Sequence, residues 1–118
     1  SNILRSKFHV CPVCGNIIRT TGEAVISCCG ITLPPLEAEE IDELHEITLE
    51  KVEDETFVTV NHEMTKTHFI SFIAYLTSDR VQFVKFYLEG NVETRFQLRG
   101  RGYIYIYCNK HGLMKKKI

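Results

Sequence analysis

Ten residues of this 118-residue chain could bind metal or do redox chemistry: five cysteines and five histidines. Four of the cysteines fall early, as Cys11 and Cys14 in "CPVCGN" and Cys28 and Cys29 in "SCCG". A C-x-x-C loop can wrap one ion, with backbone N–H groups free to reach the sulfurs and a glycine that lets the chain turn beneath them. Four thiolates make a tetrahedral soft-ligand site, and the spacing suits zinc and a single iron equally. Neighbouring residues on a strand point opposite ways, so Cys28 and Cys29 can share an ion only if the backbone bends there, which should distort the tetrahedron. The simplest role for such a knuckle is to staple a module too short to bury its own core. A thioredoxin-type redox pair fits less well, since no βαβ pattern surrounds the motif. An odd cysteine count also fits a disulfide framework poorly and points to metal binding in a reducing compartment.

The second set is His45, His62, His68, Cys108 and His111. Taken singly, His68 or Cys108 on the apolar face of a strand is an ordinary core residue. Together they ask for a common explanation. His62 and His68 flank the short loop "HEMTKTH", His45 opens a strand, and Cys108-x-x-His111 closes one. Ligands at strand ends and loops can converge on one end of a β-sandwich. Imidazoles with one thiolate do not resemble a closed structural zinc site. Five ligands suit an iron with one open position, onto which a thiolate pushes electron density. With neutral imidazoles a ferrous site keeps a positive charge, which attracts a small anion. His9, in "KFHVC", reads as a packing or surface residue.

The elements that must position these groups fall into two regimes. Residues 1 to about 36 hold the four early cysteines, glycine and asparagine turn signals and little apolar periodicity. "LPPLEAEEIDEL" then reads as a stiff, acidic surface linker. From His45 onward, "HEITLEKV", "TFVTV", "HFISFIAYL", "VQFVKFYL", "TRFQL" and "YIYIYC" are short strand-like runs, divided by the turn signals "EDE", "TSDR", "EGN" and "RGRG". Period two puts His68, Ile70, Phe72, Ala74 and Leu76 on one face. It also sets Ile104, Ile106 and Cys108 opposite the three tyrosines of the last run. Many short strands predict an antiparallel sandwich, with no internal repeat and no long helix.

A hydrophobic content of 44% and a charged content of 25% support a packed core. The formal net charge of −1 argues against phosphate-backbone binding, and no recognition helix is evident. Lys115 to Lys117 read as a solvated tail. No apolar run is long enough to cross a bilayer and no leader pattern opens the chain, so the expected location is the cytoplasm.

These motifs resemble a known family. "HEMTKTHFISFI" is similar to the H-P-M-x-x-x-H-x-I motif of superoxide reductases, and "YCNKHGL" to their C-N-x-H-G-L/H motif. The early C-x-x-C-G-N with a later C-C-G resembles desulforedoxin. In this order they resemble desulfoferrodoxin, the two-iron superoxide reductase, over nearly the whole chain. The resemblance implies a mainly β protein, with a desulforedoxin-like module over residues 1–36 and an immunoglobulin-like antiparallel β-sandwich over 37–118, commonly as a homodimer. It implies two irons per chain: a tetrathiolate centre at Cys11, Cys14, Cys28 and Cys29, where zinc also fits, and a square-pyramidal centre with equatorial His45, His62, His68 and His111 and axial Cys108. The implied reaction is one-electron reduction of superoxide to hydrogen peroxide, with the iron re-reduced by a donor such as rubredoxin. No nucleic acid or membrane partner is implied.

The chain departs from the family around the site. The family's E-K-H becomes Glu43-Leu44-His45, which keeps a glutamate able to occupy the sixth position and loses the lysine that attracts superoxide and aids protonation. Ile47 and Glu63 stand where prolines are common, and Glu63 adds negative charge that would repel an anion. Lys66, between His62 and His68, and Lys110, between Cys108 and His111, are candidate substitute cations. The other reading of the same departures is a metal-binding electron carrier or redox sensor that reduces superoxide slowly.

Overall fold

The computed structural model describes residues 2–88, 90–97 and 100–118. The expected turn at Glu89, and Leu98 and Arg99 of the "TRFQL" and "RGRG" stretches, lie outside the described residues.

Twelve strands are formed among them: β1 (Lys7–Val10), β2 (Ile17–Thr20), β3 (Ile26–Cys28), β4 (Ile31–Leu33), β5 (Glu39–Glu40), β6 (Ile47–Val52), β7 (Glu55–Val60), β8 (Ile70–Leu76), β9 (Val81–Lys85), β10 (Val92–Phe96), β11 (Tyr103–Cys108) and β12 (Gly112–Lys117). Among the described residues, helical structure is confined to two 3₁₀ turns, Ile3–Arg5 and Glu43–His45. A three-stranded sheet in the order β10-β7-β6 faces a five-stranded sheet in the order β5-β12-β11-β8-β9. The hairpins β1-β2 and β3-β4 form two further small sheets. All pairings are antiparallel except the two-residue β12–β5 contact. The expected mainly β sandwich is present.

The period-two pattern of β11 sets its two faces apart. Ile104, Ile106 and Cys108 turn inward to a core shared with Val58, Ile73 and Phe96, all at most 2% exposed. Tyr105 turns the other way, onto a second core with Phe72, Ala74, Leu76 and Leu113. That outer core is closed by Phe8 of β1, whose ring lies 5.2 Å from Phe72 and 5.3 Å from Tyr105. Ile3, Leu4, Val10 and Ile17 pack around it. The N-terminal segment therefore covers the outer face of the five-stranded sheet.

Three expectations change. First, every residue of β8 is buried, because the strand has a hydrophobic layer on each side. Its alternation also slips: Tyr107 pairs with Phe72 but Cys108 pairs with Ile70, leaving Ser71 as a bulge. Ile70 therefore joins the inner core while Phe72, Ala74 and Leu76 join the outer one. Second, Lys115 to Lys117 are not a tail but the end of β12, paired with Tyr105, Ile104 and Tyr103. A lysine can leave its ammonium in water while its backbone completes a ladder. Third, the acidic linker is partly structured, since Glu39 and Glu40 pair with Met114 and Lys115.

Candidate metal centres

The four early cysteines come together from two hairpins. Between β1 and β2 the knuckle is held by Gly15 N–H donating to Cys11 O at 2.9 Å and Cys11 N–H donating to Asn16 O at 2.9 Å. Gly15 has φ +76°, which a residue with a side chain seldom adopts. Between β3 and β4 the turn residues are Cys29 and Gly30, at φ +53° and +73°. Two positive φ values in a two-residue hairpin loop are the signature of a turn that matches strand twist. This left-handed step at Cys29 is the bend that adjacent cysteines require to face one point. All four Sγ atoms lie within 4.8 Å of one another. Four sulfurs each about 2.3 Å from one ion would stand about 3.8 Å apart. The Cys14–Cys28 and Cys28–Cys29 separations are 3.5 and 3.9 Å.

Protonation within this cluster is uneven. The backbone N–H of Cys14 is the main cause that lowers Cys11 to about 7. Hydrogen bonding with the Cys14 thiol pushes Cys29 up to about 12, and Cys28 is raised by the same neighbour. Four thiol sulfurs gathered this closely make a donor set that fits a soft metal ion.

The second cluster gathers at one end of the sandwich. His45 closes the 3₁₀ turn before β6, His62 follows β7, His68 precedes β8, and Cys108 and His111 bracket the β11–β12 hairpin. That hairpin answers why a glycine follows the C-x-x-H pair. Cys108 pairs with Gly112 across a three-residue loop, and Gly112 sits at φ +84°. Asn109 staples the loop to the histidine segment. Its Oδ1 accepts from Phe69 N–H at 2.8 Å, and its Nδ2 donates to Thr67 O at 3.0 Å.

The four imidazoles stand at the corners of a square. Successive ring centroids are 4.9 Å (His45–His62), 4.4 Å (His62–His68), 5.1 Å (His68–His111) and 4.7 Å (His111–His45), while the His45–His68 diagonal is 6.4 Å. Ligand atoms of His45, His68, His111 and Cys108 lie within 4.8 Å of one another. His62 Nε2 is 3.7 Å and His111 Nδ1 3.3 Å from Cys108 Sγ. Cys108 is fully buried at the floor, whereas His111 is exposed, so the square is backed by core on one side.

The rings are oriented through their other nitrogens. His45 Nδ1–H donates to Asp42 Oδ1 at 2.6 Å, His62 Nδ1–H to Glu63 O at 2.6 Å, and His68 Nδ1–H to Glu63 Oε2 at 2.9 Å. This leaves the Nε2 lone pairs of His45 and His68 buried, with no hydrogen-bond partner among the described residues. Two orphaned, buried acceptors aimed at a thiol would be costly in an empty pocket, and a metal ion satisfies them. Burial pushes His62 down, and the neighbouring imidazoles add to this, so it is held neutral as a ligand must be. The residues present thus fit an ion.

The remaining expected residues are exposed on the segments that carry the ligands. Glu43 and Leu44 are exposed on the 3₁₀ turn, and Leu44 is an apolar side chain where the family has an ammonium. Lys66 and Lys110 are exposed on the two loops that carry the ligands, with no ion pair among the described residues. Glu63 has a further partner that the sequence did not suggest, since its carboxylate accepts from His68 Nδ1–H at 2.9 Å. Asp42 and Asn109 went unforeseen. Asp42 caps the 3₁₀ turn by accepting from His45 N–H at 3.0 Å, and an aspartate three residues before a histidine is a readable capping signal. Asn109 shows its role only once two distant loops meet. His9 is a packing residue, 1% exposed, with Nδ1–H donating to Leu33 O at 2.8 Å.

Known proteins have a similar fold. The structure is similar to the superoxide reductase of Treponema pallidum, with a TM-score of 0.79 at 21% identity over 95% of this chain and 98% of that one. It is also similar to the superoxide reductase (1Fe-SOR) of Giardia intestinalis, with a TM-score of 0.54 at 15% identity over 65% and 98%. A desulfoferrodoxin of Clostridium acetobutylicum is 35% identical over 60 residues, which span 51% of this chain and about half, 48%, of that relative. The family described as desulfoferrodoxin matches residues 33–117, which hold the whole histidine set and leave out the four early cysteines. With most of its length matched in this way, the chain belongs to the desulfoferrodoxin family.

Proposed function

We propose that the protein is a superoxide reductase that converts superoxide to hydrogen peroxide, using one electron and two protons. The reading rests on one observation: four imidazole rings in succession, 4.4 to 5.1 Å apart, gathered at a buried cysteine, with two buried nitrogens left unpartnered. His45, His62, His68, His111 and Cys108 are the residues that would hold an iron ion. When bound, that ion supplies the single electron and an open face for a small anion.

The chain's own residues do the rest. Cys108, fully buried, would give the ion a thiolate whose negative charge favours release of the peroxide once it is protonated. Asp42 and Glu63 hold His45 and His68 in register. Lys66 and Lys110, exposed on the segments that carry the ligands, draw in the anion and supply protons, roles that Leu44 cannot fill. Glu43, two residues before His45, would offer a carboxylate to a bound ion. The four cysteines of the 1–36 module hold a second ion, iron or zinc, and the 37–118 sandwich carries the reaction. An external one-electron donor such as rubredoxin, a homodimeric assembly and a cytoplasmic location belong to this reading. Among the described residues no helix is long and apolar enough to cross a membrane.

Rapid mixing of the reduced, iron-loaded protein with superoxide tests the proposal. Peroxide should form much faster than by spontaneous dismutation, and equal rates would overturn it. Lys66→Ala and Lys110→Ala should slow the reaction at low ionic strength, with the difference shrinking as salt screens the charge. Metal analysis should find iron with thiolate-to-metal bands from the histidine site. Zinc at the cysteines with no metal at the histidines would instead indicate a binding module.

A further inference from the structure

Two carboxylates stand behind the histidine square, and they are not placed at random. Asp42 accepts from His45 and Glu63 from His68, and these two rings face each other along the 6.4 Å diagonal. On the other diagonal, His62 donates to a neutral backbone carbonyl, and His111 is exposed. One axis of the square is thus backed by two anions while the other is not. Glu63 stands where the family often has proline, so this carboxylate belongs to the present chain's own sequence.

We propose that Asp42 and Glu63 are positioning residues that fix His45 and His68 and lower the reduction potential of the ion they hold. The inference rests on the ligand set proposed above. An anion accepting from Nδ1–H gives the imidazole partial imidazolate character and strengthens Nε2 as a donor. A divalent ion with one thiolate and four neutral imidazoles carries one positive charge, and two ionised carboxylates at the ring edges reverse that sign. Both effects favour the more oxidised ion, so the reduced form becomes the stronger one-electron donor. The same charges weaken the attraction for an anion, which leaves Lys66 and Lys110 as the cations that restore it. Donor strength that is greater along one diagonal of the histidines would also make a bound ion's surroundings unequal in the two directions.

The test uses the whole iron-loaded chain with Glu63→Gln, Asp42→Asn and the double variant. Each carboxamide keeps an acceptor for the ring and removes the charge. Glu46→Gln is the control, since it removes the same charge beside His45 from an exposed residue that bonds to no imidazole. Spectroelectrochemistry should show a higher midpoint potential at the histidine site in each single variant, roughly additive in the double, and no comparable change in Glu46→Gln. Electron paramagnetic resonance should become more axial. Affinity for cobalt(II) should fall about 10-fold or more, the usual size of such outer effects. Unmoved potentials in both carboxamide variants, or an equal rise in Glu46→Gln, would overturn the inference while leaving the ligand set intact. An unaltered protein that takes up neither iron nor cobalt at the histidines would remove the ligand set itself.

Discussion

At the scale of residues, the site depends on small groups with single geometric tasks. Cys108→Ser should abolish the thiolate-to-metal band and sharply weaken metal binding at the histidines, as optical titration with cobalt(II) would show. Asn109→Ala removes two hydrogen bonds that tie the Cys108 loop to Thr67 and Phe69. At about 0.5–1.5 kcal/mol each, the loss should be about 1–3 kcal/mol in urea unfolding. Asp42 gives a pH signature. The hydrogen bond from His45 holds its carboxyl below the usual range, so the folded state favours the ionised form. That stabilisation is complete above the ordinary carboxylate value near 4 and disappears as pH falls through the lowered one. The metal-free protein should therefore lose stability on that acid limb, and Asp42→Asn should flatten it. The ligands were legible in the sequence because thiols and imidazoles at these spacings have few other uses. Glu63 was not, because a carboxylate five residues before a histidine has no regular-structure reason to reach it.

At the scale of elements, hairpins do the placing. β11 was readable from its alternation of tyrosine and isoleucine, which put Cys108 on the inner face. The bulge at Ser71 was not, since a one-residue slip leaves little mark in a run such as "ISFIAYL", whose residues are buried on both faces. β12 was hidden for a different reason: three lysines outweigh two apolar residues in any reading by composition, yet the backbone pairs all the same. Gly102, just before β11, shows how closely the strands approach. A Cβ there would stand 2.0 Å from Leu76 O, a backbone atom that cannot swing aside. Gly102→Ala should force β11 and β8 apart, lower the melting temperature by several degrees and weaken metal binding at Cys108, measured by thermal denaturation with and without cobalt(II).

At the scale of the molecule, the N-terminal segment and the sandwich share the outer core through Phe8. Phe8→Ala should cost about 3–5 kcal/mol, since it empties a fully buried site between two aromatic rings, and denaturant titration would measure it. The cysteine module and the histidine site should respond separately to chelation. Stripping the ion at Cys11, Cys14, Cys28 and Cys29 should loosen β3 and β4, whose few residues bury little, while the optical bands of the histidine site persist.

β8 lies between β11 and β9 with both faces covered, and its partner β11 delivers Cys108. In deuterated solvent its amides should be among the last to exchange, opening only when the whole fold opens. The sulfur of Cys108 is thus carried beside the slowest-breathing strand, whereas His62, His68 and His111 lie between strands and His45 ends a 3₁₀ turn. Loss of the ion would then let the rings drift while the thiol waits in place, and reassembly would begin from the cysteine upward.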